Sequence, residues 1–76
     1  MSLVQKRLRC FAASGGKCSL IQYDGVGKLS GGASNLSQVE FDAYQKAKLV
    51  ADPRNEGDWD KAIEILKAAG FEVFWD

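Results

Sequence analysis

The residues of this chain whose types could do chemistry are two cysteines, a glycine-lysine pair, some paired carboxylates and a run of cations around one phenylalanine. Cys10 and Cys18 would need a base to act as nucleophiles, and the sequence contains no histidine. Their spacing also matches no common zinc-ligand pattern. Free cysteine commonly serves as a small core hydrophobe, so residue type alone reads them as two buried, reduced thiols. A disulfide across a hairpin is the alternative.

Gly27-Lys28 falls short of an NTPase phosphate loop. That motif wants a hydroxyl residue directly after the lysine, where Leu29 stands, and a glycine five positions before Gly27, where Gln22 stands. Gly25-x-Gly27 begins like a dinucleotide fingerprint, but Ser30 occupies the third glycine position. Residues 24–35 therefore read as a flexible glycine-rich loop, with a short twisted strand as the alternative. Asp60 and Glu64 stand one helical turn apart beside Lys61 and Lys67, a pattern of solvated, weakly paired charges. No calcium-loop pattern appears. The expectation is a chain with no catalytic residue, no cofactor and no metal, that is, no enzyme.

Binding chemistry has more to work with. Lys6, Arg7, Arg9, Lys17 and Lys28 stand against Asp24 alone in residues 1–33, whereas residues 34–76 carry nine acidic residues against five basic ones. If residues 6–13 and 17–23 pair as a hairpin, the first four cations gather. Arg7, Arg9 and Phe11 then share a face, with Ile21 or Leu20 across from Phe11. A basic ribbon with an interleaved ring can contact phosphates and stack on a base. The sequence pI near 6.2 weighs against that reading. Towards the other end, Phe74 falls on the opposite face of a strand from Phe71 and Trp75. If helices cover one face only, an exposed ring rimmed by Glu72 and Asp76 has the composition of a protein-binding anchor.

These side chains must be positioned by few elements. Ser37 and Glu40 have capping-box spacing at a helix start, with Leu36 and Phe41 spaced as a hydrophobic staple. Val39, Ala43, Ala47 and Val50 then form an apolar stripe, widened by Tyr44 and Ala51, and Pro53 ends the helix near Ala51. Asp58 caps a second helix, whose stripe is Trp59, Ala62, Ile63, Leu66 and Ala69, and Gly70 closes it. Residues 71–75 and 17–23 alternate as strands. Residues 4–13 fit strand or helix, and the strand is preferred because the C-terminal strand needs a sheet to join.

At 76 residues the chain has room for one domain with a thin core. The expected fold is α+β: residues 1–76 as a single small domain, in which an antiparallel sheet of the N-terminal hairpin and the C-terminal strand carries two helices on one face, in the order β-β-α-α-β. No run approaches a membrane span and no leader-like apolar stretch stands near the start, so the expected place is the cytoplasm, with no membrane partner. The favoured function is a non-catalytic protein-interaction module, binding a partner protein or a second copy as a homodimer. Phe11, Phe74, Trp75 and Glu72 are its contact residues. By analogy it is an accessory, adaptor or inhibitor-type protein such as bacteria and phage carry. The alternative is nucleic-acid binding through Lys6, Arg7, Arg9, Lys17 and Lys28.

Overall fold

A computed structural model describes residues 5–23 and 29–76. Along the chain run β1 (Gln5–Phe11), β2 (Lys17–Tyr23), β3 (Ser30–Ser34), α1 (Gln38–Ala51), α2 (Trp59–Ala68) and β4 (Glu72–Trp75). The strands form one antiparallel sheet in the order β3-β2-β1-β4. The α+β class and the two helices over one face are as the sequence implies. No helix among the described residues is long and apolar enough to cross a membrane.

The sheet is built on its first hairpin. Ala12 N–H donates to the Gly16 carbonyl and Gly15 N–H to the Ala12 carbonyl, with Gly15 at φ 94°. A glycine in left-handed geometry at the end of a three-residue loop suits the twist of the flanking strands. Residues 5–11 are therefore a strand, and Leu8, Cys10 and Ala12 turn to the core as the strand alternation requires. The register sets Phe11 opposite Lys17, so Ile21 faces Arg7 and not Phe11.

The same register places Cys10 directly opposite Cys18, with Cα atoms 5.1 Å apart, and the two are joined as a disulfide. This corrects the reading of two reduced thiols: pairing across the hairpin brings the Cα atoms within bonding range. Residues 30–34 of the glycine-rich stretch are strand and not loop. They can be so because Gly31 lies against β2, where any side chain would collide with the Ser19 carbonyl oxygen. Residues 24–28 of that stretch lie outside the described residues.

Helix α1 carries the expected capping box. Glu40 N–H donates to Ser37 Oγ at 3.3 Å and Ser37 N–H donates to Glu40 Oε1 at 3.0 Å. The buried stripe differs from the expected one. It runs through Glu40, Tyr44, Ala47 and Ala51, while Val39 is 72 % exposed. The helix is rotated because Glu40 faces inward, where Ser14 on the β1–β2 turn gives it both its N–H and its hydroxyl. Phe41 leans on Tyr44, ring centroids 6.2 Å apart.

Helix α2 follows expectation, with Ala62 and Leu66 fully buried and Trp59, Ile63 and Ala69 packed around them. Asp58 accepts Lys61 N–H at its start. At its end Gly70, at φ 94°, donates to the Lys67 carbonyl and Phe71 N–H donates to the Leu66 carbonyl. That paired closure turns the chain directly into β4. The core lies between the helices and one sheet face: Leu8, Cys10, Cys18 and Leu20 beneath, Tyr44, Ala47, Leu66 and Phe71 above.

Candidate functional site

Strand alternation sends every second side chain of the sheet away from the helices. Following the register across β4, β1, β2 and β3 gives three rows on that open face. Glu72, Phe11, Lys17 and Ser34 form the first row, and Phe74, Arg9, Ser19 and Gly32 the second. The third holds Arg7, Ile21 and Ser30, with Asp76 beside Arg7 through a hydrogen bond from its N–H to the Arg7 carbonyl. Among the described residues no helix covers these rows, because α1 and α2 pack on Leu8, Cys10, Cys18 and Leu20 from the other side.

The face has three zones. Along β4 it is acidic, with Glu72 and Asp76 on either side of Phe74. At its centre it is basic, with Arg7, Arg9 and Lys17 all exposed. Along β3 it is nearly bare, since Ser30, Gly32 and Ser34 have little or no side chain. Phe11 stands between the acidic and basic zones, its ring stacked on Phe74 with centroids 5.7 Å apart and planes 22° apart. Phe74 is 43 % exposed and Phe11 half-buried, so each ring braces the other and leaves a flank to solvent.

Long side chains on β1, set across the small Ser19 of β2 from the bare β3, leave a shallow depression of about 340 Å³, lined by Arg7, Arg9, Phe11, Lys17, Ser19 and Gly32 among others. A Cβ at Gly32 would meet nothing within 4 Å, so the depression is open directly above that glycine. Among the described residues no ion pair ties down the basic zone. Among the described residues the ion pairs join Arg54 to Asp52 and Lys61 to Glu56, leaving Arg7, Arg9 and Lys17 without a carboxylate partner. The acids of the helical layer that are held most firmly are occupied elsewhere. Asp52, at the end of α1, accepts the Arg54 guanidinium and N–H, which hold its carboxyl below the ordinary range.

Of the residues singled out by sequence, Arg7, Arg9, Phe11, Lys17, Phe74 and Glu72 share the open face. Lys6 does not join them: it pairs with Gln22 and has the alternation of Leu8, which turns it to the helical side. Trp75 is also on that side, 43 % exposed at the sheet margin and packed on Trp59 with ring centroids 5.5 Å apart. Lys28 lies outside the described residues. Ser19 and Gly32 were missed, because their place depends on a register that hydrophobic alternation does not fix. Compared with known proteins, the chain matches no family model, no curated protein and no solved structure at a significant level.

Proposed function

We propose that this chain is a small non-catalytic binding module of accessory type, acting in the cytoplasm, whose open sheet face takes single-stranded nucleic acid. The observation that carries the reading is the gathering of Arg7, Arg9 and Lys17, none ion-paired among the described residues, around the exposed flank of Phe11 and a depression with a bare floor. A base can stack on a ring of this kind whatever its identity, and guanidinium groups beside it can meet the phosphates. Recognition from a sheet surface by exposed aromatics is a common way of holding unstacked bases. The near-neutral composition is compatible with this because most acids sit on the helices and their connector, and among the described residues neither Glu72 nor Asp76 of the adjoining β4 forms an ion pair with the central cations. The Cys10–Cys18 disulfide of the structure is a bond that a reducing cytoplasm would open, and both residues are buried enough to pack as small apolar side chains once it is open.

The test is a titration of the protein into fluorescent mixed-sequence oligonucleotides, single- and double-stranded. Three phosphate contacts on a single strand give a log–log salt slope of about −2, so raising salt from about 50 to 200 mM should weaken binding roughly twentyfold. Arg7→Glu together with Arg9→Glu should abolish binding, with circular dichroism unchanged. Phe11→Ala should cost about 1–3 kcal/mol of affinity for the single strand. Absence of binding at low salt, or binding indifferent to the two arginines, would sink the reading. The protein-partner reading has its own support at the β4 margin, which adjoins the basic zone on the same face.

A further inference from the structure

Among the described residues strand β4 is an edge of the sheet, paired on one side with β1. Asp76 N–H donates to the Arg7 carbonyl, and Leu8 and Arg9 stand opposite Trp75 and Phe74. In an antiparallel ladder the backbone groups of alternate residues point to opposite sides. Glu72, Phe74 and Asp76 therefore direct theirs at β1, and Val73 and Trp75 direct theirs outward, away from the sheet. The edge is not blunted by a proline or a lysine. Phe74 and Trp75, each 43 % exposed, stand on its two faces.

We infer that this edge takes an extended segment of a partner protein by strand addition, one whose every second residue runs cation, apolar, cation. The outward N–H and C=O groups of Val73 and Trp75 supply the ladder. The side chains supply the preference: Glu72, Phe74 and Asp76 run acid, ring, acid at every second position on the open face. Directly opposite neighbours on a sheet interact, so the complementary strand presents cation, apolar group, cation. A second copy of this chain does not satisfy the edge in the register that would match its acid, ring, acid column to itself. Antiparallel self-pairing centred on Phe74 sets Glu72 of one copy against Asp76 of the other, twice, and like charges directly opposite are destabilising. Nucleic acid is likewise repelled by the two carboxylates. The inference is independent of the reading of the basic zone, since it rests on the edge backbone and the acidic column.

The probe is a short capped peptide of pattern Lys-Thr-Val-Thr-Lys, whose every second residue runs cation, apolar, cation, titrated into the full chain at low salt and followed by the backbone amides in a two-dimensional NMR spectrum. The expected result is saturable binding, with the largest shifts at Val73 and Trp75, and at least about tenfold weaker binding of the same peptide with glutamate in place of lysine. Glu72→Lys with Asp76→Lys should reverse that order. Val73→Pro removes an outward N–H without touching the β1 ladder, and should weaken binding about tenfold while leaving oligonucleotide binding unchanged. Should Val73→Pro unfold the domain, the lysine peptide N-methylated on its ladder-facing amides makes the same test from the other side. Lack of lysine-peptide binding, equal binding of both peptides, or indifference to the backbone block would overturn the proposal; so would concentration-dependent dimerisation through β4.

Discussion

Strands β1 and β2 have two faces built from alternate residues of the same fourteen, and the two faces obey different physics. On the helical side Leu8, Cys10 and Leu20 are wholly buried and Cys18 nearly so. On the open side Arg7, Arg9 and Lys17 meet water. One face is tied to every element of the fold, the other to none of the helices. A substitution on the first should therefore be read in stability, and a substitution on the second in binding. A domain with so thin a core cannot absorb many errors on its buried face, which leaves the open face as the place where residue identity is free to answer to a partner.

The largest effect expected from this contrast comes from Leu20→Ala. Leu20 is fully buried between β1 and the helices, and removing its side chain should cost about 2–5 kcal/mol, transfer and cavity together. In a chain of this size a loss of that order leaves much of the population unfolded near room temperature. Urea unfolding measures it, and a loss under about 1 kcal/mol would mean that the helical side is not the packed side.

The cysteine pair should come next. The bond closes a loop with a sequence separation of 8, and a loop that short contributes about 2–3 kcal/mol by limiting the unfolded chain. Reduction should lower stability by that amount and leave the spectrum of the folded state in place, since both sulfurs then pack as core atoms. Urea melts with and without reductant check it. Identical melts would mean that the thiols contribute the same stability bonded or free.

Much of this was legible from residue types. Ser37 and Glu40, Asp58, Pro53 and Gly70 mark helix ends by local hydrogen-bonding and backbone preferences, and each does so in the structure. Phe74 could be placed opposite Trp75 by alternation alone. What sequence did not give is everything set by the register. Alternation says which residues share a face but not which stand opposite, so Phe11 against Lys17 and Ser19 beside Gly32 were out of reach, and Cys10 against Cys18 stood only as the alternative to two free thiols. Strand β3 was obscured because its pairing comes from the closeness Gly31 allows and not from β-branched side chains. In α1 apolar content pointed to Val39, but the buried position went to Glu40, whose partner Ser14 is 26 residues away.

That long-range contact sets a third expectation, at acid pH. Ser14 above all, with help from the Ser37 N–H, holds the Glu40 carboxyl below its ordinary value of 4.5. A carboxyl whose folded pKa is lowered binds fewer protons folded than unfolded. It therefore contributes stability above its ordinary value and loses that contribution as pH falls through the folded one. Melting temperature should fall between about pH 5 and pH 3, more than in a chain with Glu40→Gln. Ser14→Ala should raise the Glu40 pKa in an NMR titration. An unmoved pKa would show that the turn and α1 are not coupled through this carboxylate.

The smallest effect on stability, and the sharpest division between the faces, is expected at Gly32. Its backbone has no positive φ to preserve, and a Cβ there would meet nothing within 4 Å. Gly32→Glu should change stability by no more than about 0.5 kcal/mol, as exposed substitutions do. The carboxylate would, however, rise from the floor of the depression beside Arg9 and Lys17, neutralising the zone that meets phosphate and filling the space above Ser19. Gly32→Thr separates the two consequences, because it adds bulk without charge and suits a strand. Oligonucleotide binding should be lost with glutamate and weakened with threonine, while both proteins melt like the parent. Loss of binding with glutamate alone would mean that charge, and not the shape of the depression, holds the ligand. A melt lowered by several kcal/mol in either variant would show that Gly32 faces packed structure, and the distinction between a structural face and a free one would fail at its centre.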